Sequence, residues 1–173
     1  MRKWIAGSMV VAALALAACG GAPSSADTGS GSSQPAASEG GQQQAGEARH
    51  PVNKEFEVNG LKVKIGEIVV QKDRVVVGMT VTNPGEDTLS FFPDQGNAVV
   101  AGMQLEANPF FTEGDVSGEI TGGASKEGVV HFLVPEGKSL DPAQVKEVRL
   151  NLGEVFNDKK MSAKEFNQVL KLE

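Results

Sequence analysis

From Asn53 to the C-terminus, apolar residues recur at every second position in short runs, and no long helical period interrupts them. Leu61, Val63 and Ile65 alternate with Lys62 and Lys64, as in a strand with one face buried and one wet. Val75, Val77, Met79 and Val81 repeat the pattern and stop at Asn83-Pro84-Gly85, a strong turn signal. Leu89 and Phe91 lead into a second turn, Pro93-Asp94-Gln95-Gly96. Shorter runs follow at 98–101, 103–107 and 116–121, the last closed by Gly122-Gly123. Val130, Phe132 and Val134 alternate up to Pro135, and Val148, Leu150 and Leu152 form one more run. Short strands with frequent turns predict an antiparallel sandwich or barrel, and βαβ units are not expected. Residues 53–173 are enough to build a core without disulfides or metal. The C-terminus reads two ways. Ser162-Ala163-Lys164-Glu165 has the form of a helical capping box, while Leu170 and Leu172 alternate like a strand. The reading favoured here is a turn or short helix over 162–167, then a strand over 168–172.

The other end of the chain reads as an address. Arg2 and Lys3 precede an apolar stretch, Ile5 to Leu16, too short to span a bilayer core of about 30 Å. It ends in Leu16-Ala17-Ala18-Cys19, which holds the only cysteine of the chain. This tetrapeptide resembles the lipobox of bacterial lipoproteins. The resemblance implies a signal peptide over 1–18 and a Cys19 thiol alkylated by diacylglycerol. Cys19 would then be the mature N-terminus, anchored in the extracytoplasmic face of the cell membrane. Two acyl chains suffice for stable anchoring where one does not. Lipidation also consumes the thiol, and a single cysteine forms no intrachain disulfide.

Between address and domain, Gly20 to Val52 is rich in Gly, Ser, Ala and Gln. Such a stretch cannot bury enough apolar surface to offset its ordering entropy. It reads as a linker, so residues 19–52 are expected to tether the domain with a mean reach of roughly 30 Å.

The stretch from Leu61 to Phe156 resembles a set of bacterial lipoproteins with an immunoglobulin-like, telokin-like domain of unknown function. The resemblance rests on Val75-Val76-Val77-Gly78-Met79-Thr80-Val81-Thr82-Asn83 and on Gly128-Val129-Val130-His131-Phe132-Leu133-Val134-Pro135. In that family a Gly-x-x-x-Phe-x-Val-Pro pattern closes a strand of the sandwich. The preceding lipobox and polar tether match the family's arrangement. It implies an all-β, immunoglobulin-like antiparallel sandwich of seven to nine strands over 53–173, and no catalytic residues. The sequence departs from antibody-type domains: it has no cysteine pair and no tyrosine, and its one tryptophan, Trp4, lies in the signal. Phe91, Phe132 and Phe156 are expected in the core instead.

Catalytic chemistry finds little footing. A nucleophile needs a base beside it. The histidines are His50, in the linker, and His131, which alternates away from Val130 and Phe132 towards the solvent face. No Gly-x-Ser-x-Gly elbow and no phosphate-binding glycine loop occur. One domain histidine cannot assemble a zinc site. Met79 and Met103 sit on apolar faces rather than as copper ligands, and Glu113, Asp115 and Glu119 read as solvated loop acids. No metal or cofactor is therefore expected, and the chain reads as a non-enzyme. A formal charge of −6 argues against nucleic acid as partner.

The positive signal is apolar. Phe91-Phe92 runs into a turn, and Phe110-Phe111 sits in a loop after Asn108-Pro109. In each pair one ring should face in and the other out if the backbone is extended. Outward rings at one end of a sandwich would form an interaction patch, with Phe92, Phe110 and Phe111 as its candidates. The leading expectation is a surface-displayed module that binds a protein or cell-envelope component. The alternatives are a proteinase inhibitor presenting loop 93–97 or 108–115, and a carrier of a small apolar ligand or metal.

Overall fold

The computed structural model describes Asp27, Thr28 and residues 46–172. The expected signal peptide over 1–18, Cys19 and most of the expected linker lie outside the described residues. The described chain is almost entirely strand: β1 (Glu47–Val58), β2 (Leu61–Gln71), β3 (Arg74–Thr82), β4 (Leu89–Phe91), β5 (Asn97–Val100) and β6 (Met103–Ala107). Then come β7 (Glu113–Gly114), β8 (Gly118–Ile120), β9 (Ser125–Leu133), β10 (Glu147–Asn157) and β11 (Ser162–Lys171). Single 3₁₀ turns lie at Pro93–Gln95 and Pro142–Gln144.

All pairings are antiparallel. The hydrogen-bonded path runs β1-β2-β3-β9-β6-β5-β10-β4-β8, with β11 beside β10 and β7 beside β9. The path folds over on itself, and β6 is the corner: Met103 to Glu106 pair with β5, whereas Glu106 and Ala107 pair with β9. One core fills the space between the two layers. It takes Leu61, Ile65, Val77, Met79, Val130 and Phe132 from one layer and Val100, Leu150, Phe91 and Phe166 from the other. Burial of this apolar surface is the main favourable term for folding.

The alternation read from the sequence holds where strands are regular and fails at bulges. In β10 the inward set is Val148, Leu150 and Leu152, but beyond the bulge it is Val155 and Asn157. Gly153, at φ +83°, supplies the extra residue and switches the parity. Phe156, expected in the core, is therefore only half-buried, and Phe166 takes the place. A second bulge in β2 separates Ile65 from Ile68 in the same way.

Three further expectations are corrected. There are eleven strands rather than seven to nine. The linker boundary moves, since residues 47–52 form the first half of β1 and carry His50 into a strand. The segment 162–171 is one strand throughout, with no helix at the capping-box residues. Pairing with β10 and burial of Phe166 prevail over the local helical signal there.

The layers are open at one side, where β1 and β11 are both edge strands. Side chains close that seam. The Phe56 and Phe166 rings meet edge-on at 5.6 Å. Asn59, in the positive-φ Asn59-Gly60 hairpin turn, donates from Nδ2 to the carbonyls of Val155 and Ser162 at 3.0 and 2.9 Å.

Candidate interaction surface

The Phe92 and Phe110-Phe111 segments leave the sandwich from adjacent backbone. The Ala107 amide donates to the Gly96 carbonyl at 3.0 Å, so the turn after Phe92 abuts the strand end that launches Asn108. The pair at 91–92 behaves as extended backbone dictates. Phe91 is fully buried, and Phe92 points out, 44% exposed. The pair at 110–111 does not, because the segment is a turn rather than a strand. Phe110 is 94% exposed and Phe111 48%, so neither ring enters the core. Among the described residues, no ring stacking joins Phe92 to the other two.

The loop around Phe110 is pinned at its base. The Asn108 amide donates to the His131 carbonyl at 2.9 Å. The Asn108 side-chain oxygen accepts from the Phe110 amide at 2.9 Å, and its carbonyl accepts from the Phe111 amide at 3.1 Å. These bonds make an Asx turn with Phe110 at its tip. Two glycines then let β7 lie close on β9: a Cβ on Gly128 would stand 2.5 Å from the Glu113 carbonyl, and one on Gly114 2.6 Å from that of Glu127. Beyond, Lys126 Nζ donates to Asp115 at 2.8 Å and to the Ser117 carbonyl at 2.9 Å.

Phe111 covers His131. Their ring centres are 6.3 Å apart, and the Arg74 guanidinium carbon stands 5.4 Å from the Phe111 centroid. Arg74 is itself held by Asp73 at 2.8 Å, and that hydrogen bond keeps the Asp73 carboxyl below its ordinary range. His131 points away from the core as its parity requires, yet it is only 3% exposed. The expected solvent-face histidine is thus a covered one. Phe111 was the missing signal, because only a turn folds that ring back over the neighbouring strand. Neither ring nitrogen of His131 has a hydrogen-bond partner, and the nearest carboxylate, Glu113, stands 3.8 Å from Nε2.

Burial of His131, helped by the Arg74 charge, lowers its pKa, with Glu113 and Asp73 opposing. The folded chain therefore binds this proton less readily than the unfolded chain. Stability should fall as pH drops below about 6.5, where the unfolded histidine charges, and the fall should end below the folded value. Urea midpoints at pH 7.5 and 5.5 check this. His131→Leu should flatten the difference and cost little at pH 7.5, because it removes two unpartnered polar atoms. An unchanged pH dependence in the variant would assign the effect elsewhere.

The described surface holds another concavity at the β1–β11 seam. It is a cleft of about 600 Å³ lined by His50, Pro51, Val52, Lys54, Val169, Lys171 and Leu172. Among the described residues no three His, Cys, Asp or Glu side chains gather as a metal site, and no helix is long and apolar enough to cross a membrane.

No known family's sequence profile matches this chain, and no curated protein matches it. Solved structures do. A functionally unknown protein from Listeria monocytogenes EGD-e superposes over 73% of this chain and 86% of its own, with 10% identity and a TM-score of 0.51. A conserved hypothetical protein from Bacillus anthracis covers 70% of this chain and 98% of its own, with 11% identity and a TM-score of 0.47. A proposed lipoprotein of Bacillus subtilis, ycdA, covers 66% of this chain but 38% of its own, with 19% identity and a TM-score of 0.43. At such identities the Listeria likeness carries the fold and nothing about chemistry. This chain shares its β-sandwich with a bacterial protein of unknown function.

Proposed function

We propose that this chain is a lipid-anchored, extracytoplasmic binding module with no catalytic role, whose ligand-facing end is the loop pair bearing Phe92, Phe110 and Phe111. The carrying observation is Phe110, 94% exposed at the tip of a turn whose backbone is hydrogen-bonded in place. The backbone beneath the ring is already held by hydrogen bonds, so a partner that covers the ring has mainly the side chain left to fix. Covering one such ring contributes ~1.5–3 kcal/mol. Phe111 and Phe92 extend the apolar surface, while Arg74, Asp73 and Glu113 supply a charged rim. A protein or cell-envelope component with an apolar pocket fits this surface. Cys19 carries the anchoring part of the reading through its lipobox.

The inhibitor alternative is disfavoured by the same geometry. Proteases bind extended backbone as an added strand, but 108–112 is a closed turn and 93–95 is a 3₁₀ turn. The carrier alternative rests on the β1–β11 cleft, whose lining mixes Val52, Val169 and Leu172 with His50, Lys54 and Lys171.

Site-specific photo-crosslinking in intact cells tests the proposal. A photoreactive phenylalanine at position 110 should capture one discrete adduct, and the same probe at the exposed Glu57 should capture none. Cys19→Ser, which removes the acylated thiol, should abolish the adduct and release the chain from the membrane fraction. No adduct at 110, or equal adducts at both positions, would overturn the assignment of the loop face.

A further inference from the structure

The sheet formed by β2, β3 and β9 has an outward face that is not wet. Val69, Val76 and Val129 point away from the main core, yet they are 0%, 0% and 5% exposed and form their own small cluster. Two residues from the linker lie on this face. The Asp27 carbonyl accepts from the Glu67 amide at 3.1 Å, and the Asp27 amide donates to the Glu67 carboxylate at 3.2 Å. The Thr28 carbonyl accepts from Thr80 Oγ1 at 2.8 Å, and Thr28 Oγ1 donates to Glu127 at 3.4 Å. Glu67, Thr80 and Glu127 belong to β2, β3 and β9 in turn, so the contacts cross all three strands. Each has the outward parity of the valine on its own strand.

The receptor is built by an irregularity. Glu67 lies in the β2 bulge between Ile65 and Ile68, where the ladder to β3 is interrupted. The bulge takes Glu67 out of the ladder to β3, and its amide donates instead to the Asp27 carbonyl.

We propose that the outward face of β2-β3-β9 is a docking site for the chain's own linker at Asp27–Thr28. Docking shortens the leash. Whatever the conformation between them, Cys19 and Asp27 cannot be more than about 28 Å apart, whereas Cys19 and Glu47 can be about 100 Å apart. If Cys19 is the lipid anchor, as the proposed function has it, the docked chain holds the sandwich close to the membrane with this sheet turned towards it. The undocked chain would let the loop face reach several times further.

The docking itself is tested without the lipid. The chain from residue 19 onward, carrying Cys19→Ser, keeps every described residue. Replacing residues 20–45 by Gly-Ser repeats of equal length removes Asp27 and Thr28 and leaves every strand from β1 onward in place. It should speed hydrogen exchange of the Glu67 amide at least tenfold and leave the Val77 amide unchanged. Separately, a nitroxide on Ser25→Cys should broaden the amide signals of Val69, Gly78 and Val129 and leave those of Ala98 and Val148 sharp. Equal Glu67 exchange in both chains would overturn the proposal, and so would broadening of both layers or of neither. On vesicles, the acylated Gly-Ser chain, whose linker has the native length, should stand further from the bilayer by energy transfer. An unchanged distance there, with docking intact in solution, would count against the Cys19 anchor alone.

Discussion

Truncation of Phe166 to alanine should cost about 3–5 kcal/mol of stability, as for a fully buried phenylalanine. Phe166 is 0% exposed and stands where the open side of the sandwich must be closed. Its ring meets Phe56 of β1 at 5.6 Å and Phe91 of β4 at 6.2 Å, so three strands converge on one side chain. No ladder joins β1 to β11, and the seam therefore relies on this packing and on the Asn59 hydrogen bonds to Val155 and Ser162. Domains of this size are stable by only about 5–15 kcal/mol, so the variant should sit close to unfolding at room temperature. Urea unfolding would report the loss as a lower midpoint at unchanged slope. Phe166→Leu, which keeps most of the volume, should lose about 1.5 kcal/mol or less. A loss under 1 kcal/mol for the alanine variant would mean that β11 does not close the sandwich.

Phe166 also marks the limit of what the sequence made legible. The middle strands were readable because each alternates without interruption between recognisable turns; Val75 to Val81 against Asn83-Pro84-Gly85 is the clearest case. The edges were not. β1 begins at Glu47 in charged, proline-containing sequence, because an edge strand needs few apolar residues and gains from charge and proline. β11 begins with four residues that also suit a helix N-terminus, and only its pairing with β10 decides between them. Phe156 leaves the core because the bulge at Gly153 switches the parity set by Val148, Leu150 and Leu152, and a glycine inside a strand pattern is the cue for a bulge. At the candidate surface, the exposure of Phe92 follows from strand parity. That of Phe110 follows from an Asn-Pro turn rather than from any period. The covering of His131 by Phe111 and the seating of Asp27 on Glu67 are long-range contacts, and no local pattern encodes them.

Replacement of Asn83 by leucine should cost about 2–4 kcal/mol although it keeps the side-chain volume, because it leaves three backbone groups without partners. Asn83 is 1% exposed, at the end of β3. Its Nδ2 donates to the carbonyls of Asp87 and Ile120 at 2.7 and 2.8 Å, and its Oδ1 accepts from the Gly85 amide at 3.1 Å. Its own amide and carbonyl bond to Ala124 and Gly123. One residue thus joins β3, the 84–88 turn, the end of β8 and the Gly122-Gly123 turn. The bond to Ile120 is buried, so water cannot replace it there. Asn83→Asp separates the two halves of the network. It keeps the acceptor for Gly85 but, when ionised, faces the two carbonyls with no donor. Protonation restores one O–H donor. The aspartate variant should therefore be far weaker than the native chain at pH 7 and recover part of the gap as pH falls towards 4. Urea midpoints across that range measure it. A leucine variant within 0.5 kcal/mol of the native chain would mean that the carbonyls of Asp87 and Ile120 find other donors. A pH-independent gap for the aspartate variant would mean that the two Nδ2 bonds do not carry the junction.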